Sequence, residues 1–173
     1  MPTLVNDPQP VELTKLIERR RALGQDMFDE VWDGVLHMNP GPAGAHGLIE
    51  HQLVVVLSPL AKRAGLISIG QFNLGEGRDN FRVPDIGLHR AWEDRTFYPT
   101  AALVVEIVSP GDESYQKFDF YAAHGVDELL IVDPQQHRVH WFRLVDEEYL
   151  PVEQSGLIEL GPDGLAARID WPE

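Results

Sequence analysis

Glu106 interrupts an otherwise apolar run: Leu103, Val104 and Val105 precede it, and Ile107 and Val108 follow it. Burying an unpaired carboxylate costs on the order of several kcal/mol, so Glu106 needs a counter-ion, hydrogen-bond donors or a metal. A second acid, Asp85, sits in RVPDIGLH (82–89) beside a proline. Two carboxylates on neighbouring strands can hold one hard divalent cation through oxygen ligands, and the backbone carbonyl of Ile107 offers a third oxygen. Lys117, in SYQKFDFYAAHG (114–125), supplies an ammonium. An ammonium beside such a cation can orient a water and stabilise an added negative charge. Each residue also has a plainer reading. Asp85 would be a solvated turn acid, Glu106 half of a structural ion pair, and Lys117 a surface lysine at a helix start.

The elements that must position this trio follow from periodicity. Residues 11–23 have helical spacing and a basic face of Lys15, Arg19 and Arg20. Residues 28–38 read as a hairpin closed by Asp33-Gly34. Residues 45–64 read as a helix kinked or ended by Pro59. Strands are expected at 66–72, 81–89 and 101–108, with 75–80 as the turn between the first two. A helix follows at 113–124, stopped by Gly125, with Tyr115, Phe118 and Ala122 as its apolar stripe. Tyr121 and His124 lie on the face of Lys117. ELLIV (128–132) is a short buried strand, 137–145 and 148–153 form a closing hairpin, and the tail is irregular or weakly extended. The order helix, three strands, helix, strand predicts an α/β fold with a mixed sheet and added hairpins. Strands 81–89 and 101–108 would lie side by side, with Pro84 at an edge or bulge that aims Asp85.

A length of 173 residues suits a single domain, 1–173, with one sizeable core. The absence of cysteine removes disulfides and thiolate metal sites and fits a cytoplasmic protein. No secretory signal and no apolar run of membrane-spanning length is seen. The formal charge of −14 discourages casual nucleic-acid binding. Half of that excess, however, sits in the acidic extension 146–173, which holds eight acids and one base. His137 and His140 face opposite sides of a strand and make a poor zinc pair, and neither a GxSxG elbow nor a phosphate-binding glycine loop occurs.

The segments VPDIGLHR (83–90), LVVEIVSP (103–110), ESYQKFDFYAAHGV (113–126) and ELLIVDP (128–134), with DEVWDGVLHMNPGPAGAH (29–46) upstream, resemble the restriction endonuclease-like family of the PD-(D/E)XK nuclease superfamily. The resemblance covers about residues 25–145. It implies a restriction-endonuclease-like core of helix, three strands, helix, strand. It also implies Asp85 and Glu106 as metal ligands and Lys117 as the catalytic lysine. Many nucleases of the superfamily place that lysine two residues after the glutamate. Here Val108 stands there, and the family is similar in offering a lysine on the next helix. Glu30 and His46 match family positions as accessory residues, and Glu50 lies one helical turn after His46.

The expected activity is Mg2+- or Mn2+-dependent endonucleolytic hydrolysis of DNA, with Asp85, Glu106 and the Ile107 carbonyl on the cation. Arg78, Arg82 and Arg90 are expected to position the DNA backbone. A homodimer would supply the surface that a chain without a separate recognition domain lacks. The alternative is a non-catalytic binding or assembly module that keeps the nuclease-like fold.

Overall fold

The computed structural model describes residues 3–5, 10–109, 111 and 113–172; Pro110 of the 103–110 motif and most of the extreme N-terminus lie outside them. The chain runs β1 (Thr3–Val5), α1 (Val11–Ala22), β2 (Glu30–Trp32), β3 (Val35–Met38), α2 (Gly44–Arg63), β4 (Ile67–Ile69), β5 (Asn73–Gly77), β6 (Asn80–Arg82), β7 (Ile86–His89), β8 (Phe97–Tyr98) and β9 (Leu103–Ile107). A 3-10 turn, Ser114–Lys117, then leads into α3 (Phe118–Ala123), β10 (Glu128–Asp133), β11 (Arg138–Val145), β12 (Glu148–Pro151) and α4 (Pro162–Ala166).

The strands form two six-stranded sheets, in the orders β1-β3-β2-β6-β5-β8 and β12-β11-β10-β9-β7-β4. Both are mixed: β9 pairs parallel with β10, and β5 pairs parallel with β8. In the second sheet β7 lies beside β9, as expected, and runs antiparallel to it with Ile86 opposite Val105. β9 and β10 are buried along their whole length, which matches their near-continuous apolar runs. Helix α2 packs its Ile49, Leu53, Leu57 and Leu60 into the main core, together with Ile86, Leu103, Val105 and Trp141. It continues through Pro59 to Arg63 rather than stopping there.

Three expectations change. The strand 81–89 is two strands, β6 and β7, in different sheets. Pro84 has no N–H to give a ladder, so pairing stops and the chain crosses from one sheet to the other at Val83–Asp85. The expected turn 75–80 is mostly strand, because β5 and β6 pair as a hairpin around Arg78-Asp79. The tail is irregular over 152–161, as expected, but it also carries the short helix α4, and its Ile158, Leu160, Leu165 and Ile169 join the main core. Buried Glu128 anchors this tail. It accepts hydrogen bonds from Trp141 Nε1 (2.9 Å), Ser155 Oγ (2.6 Å) and the Gly156 amide (2.7 Å), with Arg143 beside it.

The β7 surface beside Asp85 is closely filled. A Cβ at Gly87 would lie 2.4 Å from the Phe72 ring and 2.5 Å from His89 Nε2. His89 is 3% exposed, packs edge-on to Phe72 at 4.7 Å, and finds no partner for Nε2 among the described residues. Burial therefore pushes its pKa down to about 4. The unfolded chain binds this proton below about 6.5, whereas the folded chain does so only below about 4. Stability contributed at neutral pH should thus be lost as pH falls through that window, by roughly 3 kcal/mol. Urea unfolding between pH 7 and 4 should show this loss, and His89→Phe, which keeps the ring contacts, should flatten it. An unchanged slope in the variant would assign the acid sensitivity to another group.

Candidate active site

The crossing at Pro84 builds the site. Continuing the β7–β9 register past Ile86 and Val105 would put Pro84 opposite Ile107, where no ladder is possible. The Asp85 side chain takes the place of the missing strand: the Ile107 amide donates to Asp85 Oδ2 at 2.7 Å. Asp85 Oδ1 pairs with His46 Nε2 at 2.9 Å, from the first turn of α2. Burial works to lower the His46 pKa, but the hydrogen bond and charge of Asp85 outweigh it, and the pKa is raised.

Glu106 points from the middle of β9 to the same place and is 4% exposed. Lys117 reaches it from the end of the 3-10 turn, with Nζ 3.1 and 3.2 Å from the two carboxylate oxygens. The same ammonium donates to Glu30 Oε1 at 2.9 Å, on β2. Glu30, 2% exposed, also accepts from the Val83 amide and from Trp32 Nε1, each at 2.7 Å. Glu30, His46, Asp85, Glu106, Ile107 and Lys117 line one cavity of about 330 Å3.

The electrostatics follow from three carboxylates around one ammonium. Burial opposes the charge on Lys117, but Glu106 and Glu30 outweigh it and hold the ammonium protonated well above the usual range. Burial pushes Glu106 up to about 8; Lys117 pulls the other way, and the charges of Asp85 and Glu30 add to the rise. The donor chemistry fits a hard divalent cation. The ligands on offer are carboxylate and carbonyl oxygens: Asp85 Oδ1, Asp85 Oδ2 and Glu106 Oε2 each accept one hydrogen bond among the described residues and keep a lone pair, whereas Glu106 Oε1 already accepts from both Lys117 and Tyr121. Among the described residues no three His, Asp or Glu side chains are grouped to enclose an ion. A cation here would therefore draw on two carboxylates, a backbone oxygen and water.

The trio expected from the sequence converges, and Glu30 and His46 touch it directly. Glu50 stands behind His46, half-buried, and its pKa is raised by burial and by the charge of Asp85. Tyr121 was not among the expected site residues, yet its hydroxyl donates to Glu106 Oε1 from full burial. Its position four residues after Lys117 was the available signal. The apolar stripe expected at Tyr115 is displaced: Tyr115 is half exposed, and Phe120 and Tyr121 are the buried pair. The tighter 3-10 turn rotates the segment and turns Lys117 inward.

The arginines are the main correction. Arg82 is 4% exposed, not a surface contact. Its guanidinium lies between the rings of Trp32 (4.3 Å) and Phe120 (4.0 Å), and Nη1 donates to the Val31 carbonyl at 3.0 Å. Arg90, at the far end of β7 from Asp85, is exposed and paired with Asp127 at 2.5 Å. Arg78 is exposed in the β5–β6 turn and does not line the site cavity. Trp32 is two residues from Glu30, and Phe120 is three from Lys117. The Arg82 stack thus fixes the two elements that bring Glu30 and Lys117 together. Arg82→Met should therefore destabilise by about 2–4 kcal/mol, through lost cation–π contacts and hydrogen bonds. Thermal unfolding would check this; a variant as stable as the wild type would show that the stack does not hold these elements.

The family model for Uma2, described as "Putative restriction endonuclease", matches residues 17–169, a wider span than the motifs at 25–145. No curated protein matches significantly. Among solved structures the chain is similar to a crystal structure from Anabaena variabilis described as "a putative nuclease belonging to DUF820". That likeness has a TM-score of 0.64 at 19% identity and covers 81% of this chain and 90% of the other, which speaks to the shared fold. Matched over most of its length, the chain belongs to the Uma2 family of restriction endonuclease-like proteins.

Proposed function

We propose that the cavity is the active site of a divalent-metal-dependent endonuclease that hydrolyses phosphodiester bonds in DNA. The observation that carries this reading is the buried Lys117 ammonium, placed by Glu30 and Glu106 in the same cavity as Asp85. Asp85, Glu106 and the Ile107 carbonyl would hold Mg2+ or Mn2+. When bound, the cation supplies charge neutralisation at the scissile phosphate and a more acidic water.

The rest falls to the chain itself. Lys117 remains protonated, so it serves as a hydrogen-bond donor and positive charge, not as a base. Its ammonium faces the extra charge that develops on the phosphoryl oxygens, where a preorganised donor lowers the barrier. Glu30 and Glu106 fix that ammonium from two sides, so little reorganisation is needed. His46 and the Ile107 amide orient Asp85. Water adds to phosphorus and gives up a proton to solvent, the bond to one ester oxygen breaks, and the departing oxygen takes a proton from solvent, so the products are a phosphate end and a hydroxyl end.

Purified protein should nick plasmid DNA in Mg2+ or Mn2+ and not in EDTA. Asp85→Ala, Glu106→Ala and Lys117→Ala should each lower the rate by at least about a hundredfold. The two acid variants should also lose Mn2+ binding by calorimetry, while Lys117→Ala keeps it. Cleavage that survives all three changes would place the activity elsewhere. A folded protein with intact Mn2+ binding and no cleavage would favour the binding or assembly module.

A second test uses stability. A cation that binds only the native state adds about 2.7 kcal/mol at a hundredfold excess over its dissociation constant. Millimolar Mg2+ should therefore raise the melting temperature, and Glu106→Gln should lose most of that rise. In EDTA the raised Glu106 pKa means that its stability contribution is present below the ordinary carboxylate range and is lost as pH rises towards about 8. Glu106→Gln should remove this loss and melt no lower than the wild type at pH 8. Strong destabilisation of the glutamine variant in EDTA would instead show that the ionised carboxylate is required as a structural partner of Lys117.

A further inference from the structure

The site cavity does not end at the catalytic trio. Gln71 and Val83 line it and also line a second, more open groove of about 600 Å3. Arg21, from the last turn of α1, and Arg78, from the β5–β6 turn, stand on this groove. Both are exposed, and neither forms an ion pair among the described residues. Phe81 and Phe97 form its aromatic floor, in an edge-to-face pair 5.4 Å apart, each half-buried. Two acids also border the groove. Asp29 is neutralised by Arg20 at 2.7 Å, which leaves Asp26 against two unpaired guanidiniums. The groove is thus locally cationic on a chain whose formal charge is −14.

The geometry points to a single-stranded nucleic-acid channel: a strand whose scissile phosphate lies in the site cavity continues past Gln71 and Val83 and lies along the groove. Its phosphates meet Arg21 and Arg78, and its bases stack against Phe81 and Phe97. The proposal rests on the nuclease reading of the site and names the strand state of its substrate. Cations tracking a backbone, interleaved with aromatic rings, suit unpaired bases, whose faces are free to stack. A duplex hides those faces. It also carries more phosphate charge per unit length, which an acidic protein repels more strongly. The enclosed site adds a steric reason. Asp85, Glu106 and Lys117 are each at most 9% exposed, so a flexible strand reaches them more readily than the convex backbone of an undistorted duplex.

The test is fluorescence anisotropy with a labelled dT12 strand and a 12-base-pair duplex, in Ca2+ over a series of salt concentrations. The wild type should bind dT12 at least about tenfold more tightly than the duplex. Arg21→Gln combined with Arg78→Gln should weaken dT12 binding and flatten the salt slope by about 1.4, from roughly 0.7 per phosphate contact on a single strand. Phe97→Leu should weaken dT12 binding at unchanged melting temperature. Equal or tighter duplex binding, no binding of dT12, or unchanged dT12 binding in the double variant would overturn the channel. Cleavage of the same strand in Mg2+ separates the two readings. Binding as described without cleavage removes the nuclease and leaves the channel. Cleavage with binding indifferent to Arg21 and Arg78 removes the channel and leaves the nuclease.

Discussion

One ammonium shared by buried carboxylates constrains the rest of this structure. Lys117 stands between Glu30 and Glu106, with Asp85 close enough for its charge to be felt at Glu106. Each ion costs several kcal/mol to bury, and one positive charge cannot offset three negative ones. The surplus is spread over neutral donors: Tyr121 and Trp32 on the glutamates, and the Val83 and Ile107 amides on Glu30 and Asp85. These donors come from both sheets and from the segment that contains α3, so the elements are tied together at their most polar point. Burial and the repelling charges of Asp85 and Glu30 push the Glu106 pKa up to about 8, so this is a site to which a cation can add by displacing that proton.

Pro84 makes that convergence possible. A strand running unbroken from Asn80 to His89 would remain in one sheet and leave Asp85 in a ladder. The missing amide hydrogen ends the pairing, and the chain passes between the sheets at the residue that carries the carboxylate. The Arg82 stack then secures the crossing from the other side. It holds Trp32 of the β2–β3 hairpin and Phe120 of α3 against one guanidinium. A charge that the sequence offers as a ligand for phosphate is used instead to set the distance between Glu30 and Lys117. The cationic surface beside the site comes from Arg21 and Arg78, which are 57 positions apart in the chain and meet only in the folded protein.

Periodicity and residue type made much of this protein readable in advance. The buried runs of β9 and β10, the long helix α2 and the order of central elements follow from apolar spacing, because burial of a face is a local property of the sequence. The singularity of Glu106 was legible for the same reason: a charge within an apolar run demands partners. Asp85 and Lys117 followed from their places on the neighbouring strand and the following helix and from the family resemblance of the segments that carry them. What the chain could not disclose by itself was direction and proximity. Whether Arg82 faces water or lies between two rings depends on elements distant in sequence. The inward turn of Lys117 depends on a 3-10 rather than an α-helical first turn, a difference of angle that residue types barely encode. The resemblance named Glu30 and His46 as accessory residues, but their contacts with Lys117 and Asp85, the place of Tyr121 on Glu106, and the core packing of the acidic tail through Glu128 arise from strand crossings and sheet order. Those are fixed by the sum of many long-range contacts, so the sequence determined which groups needed partners and the tertiary structure decided which partners they received.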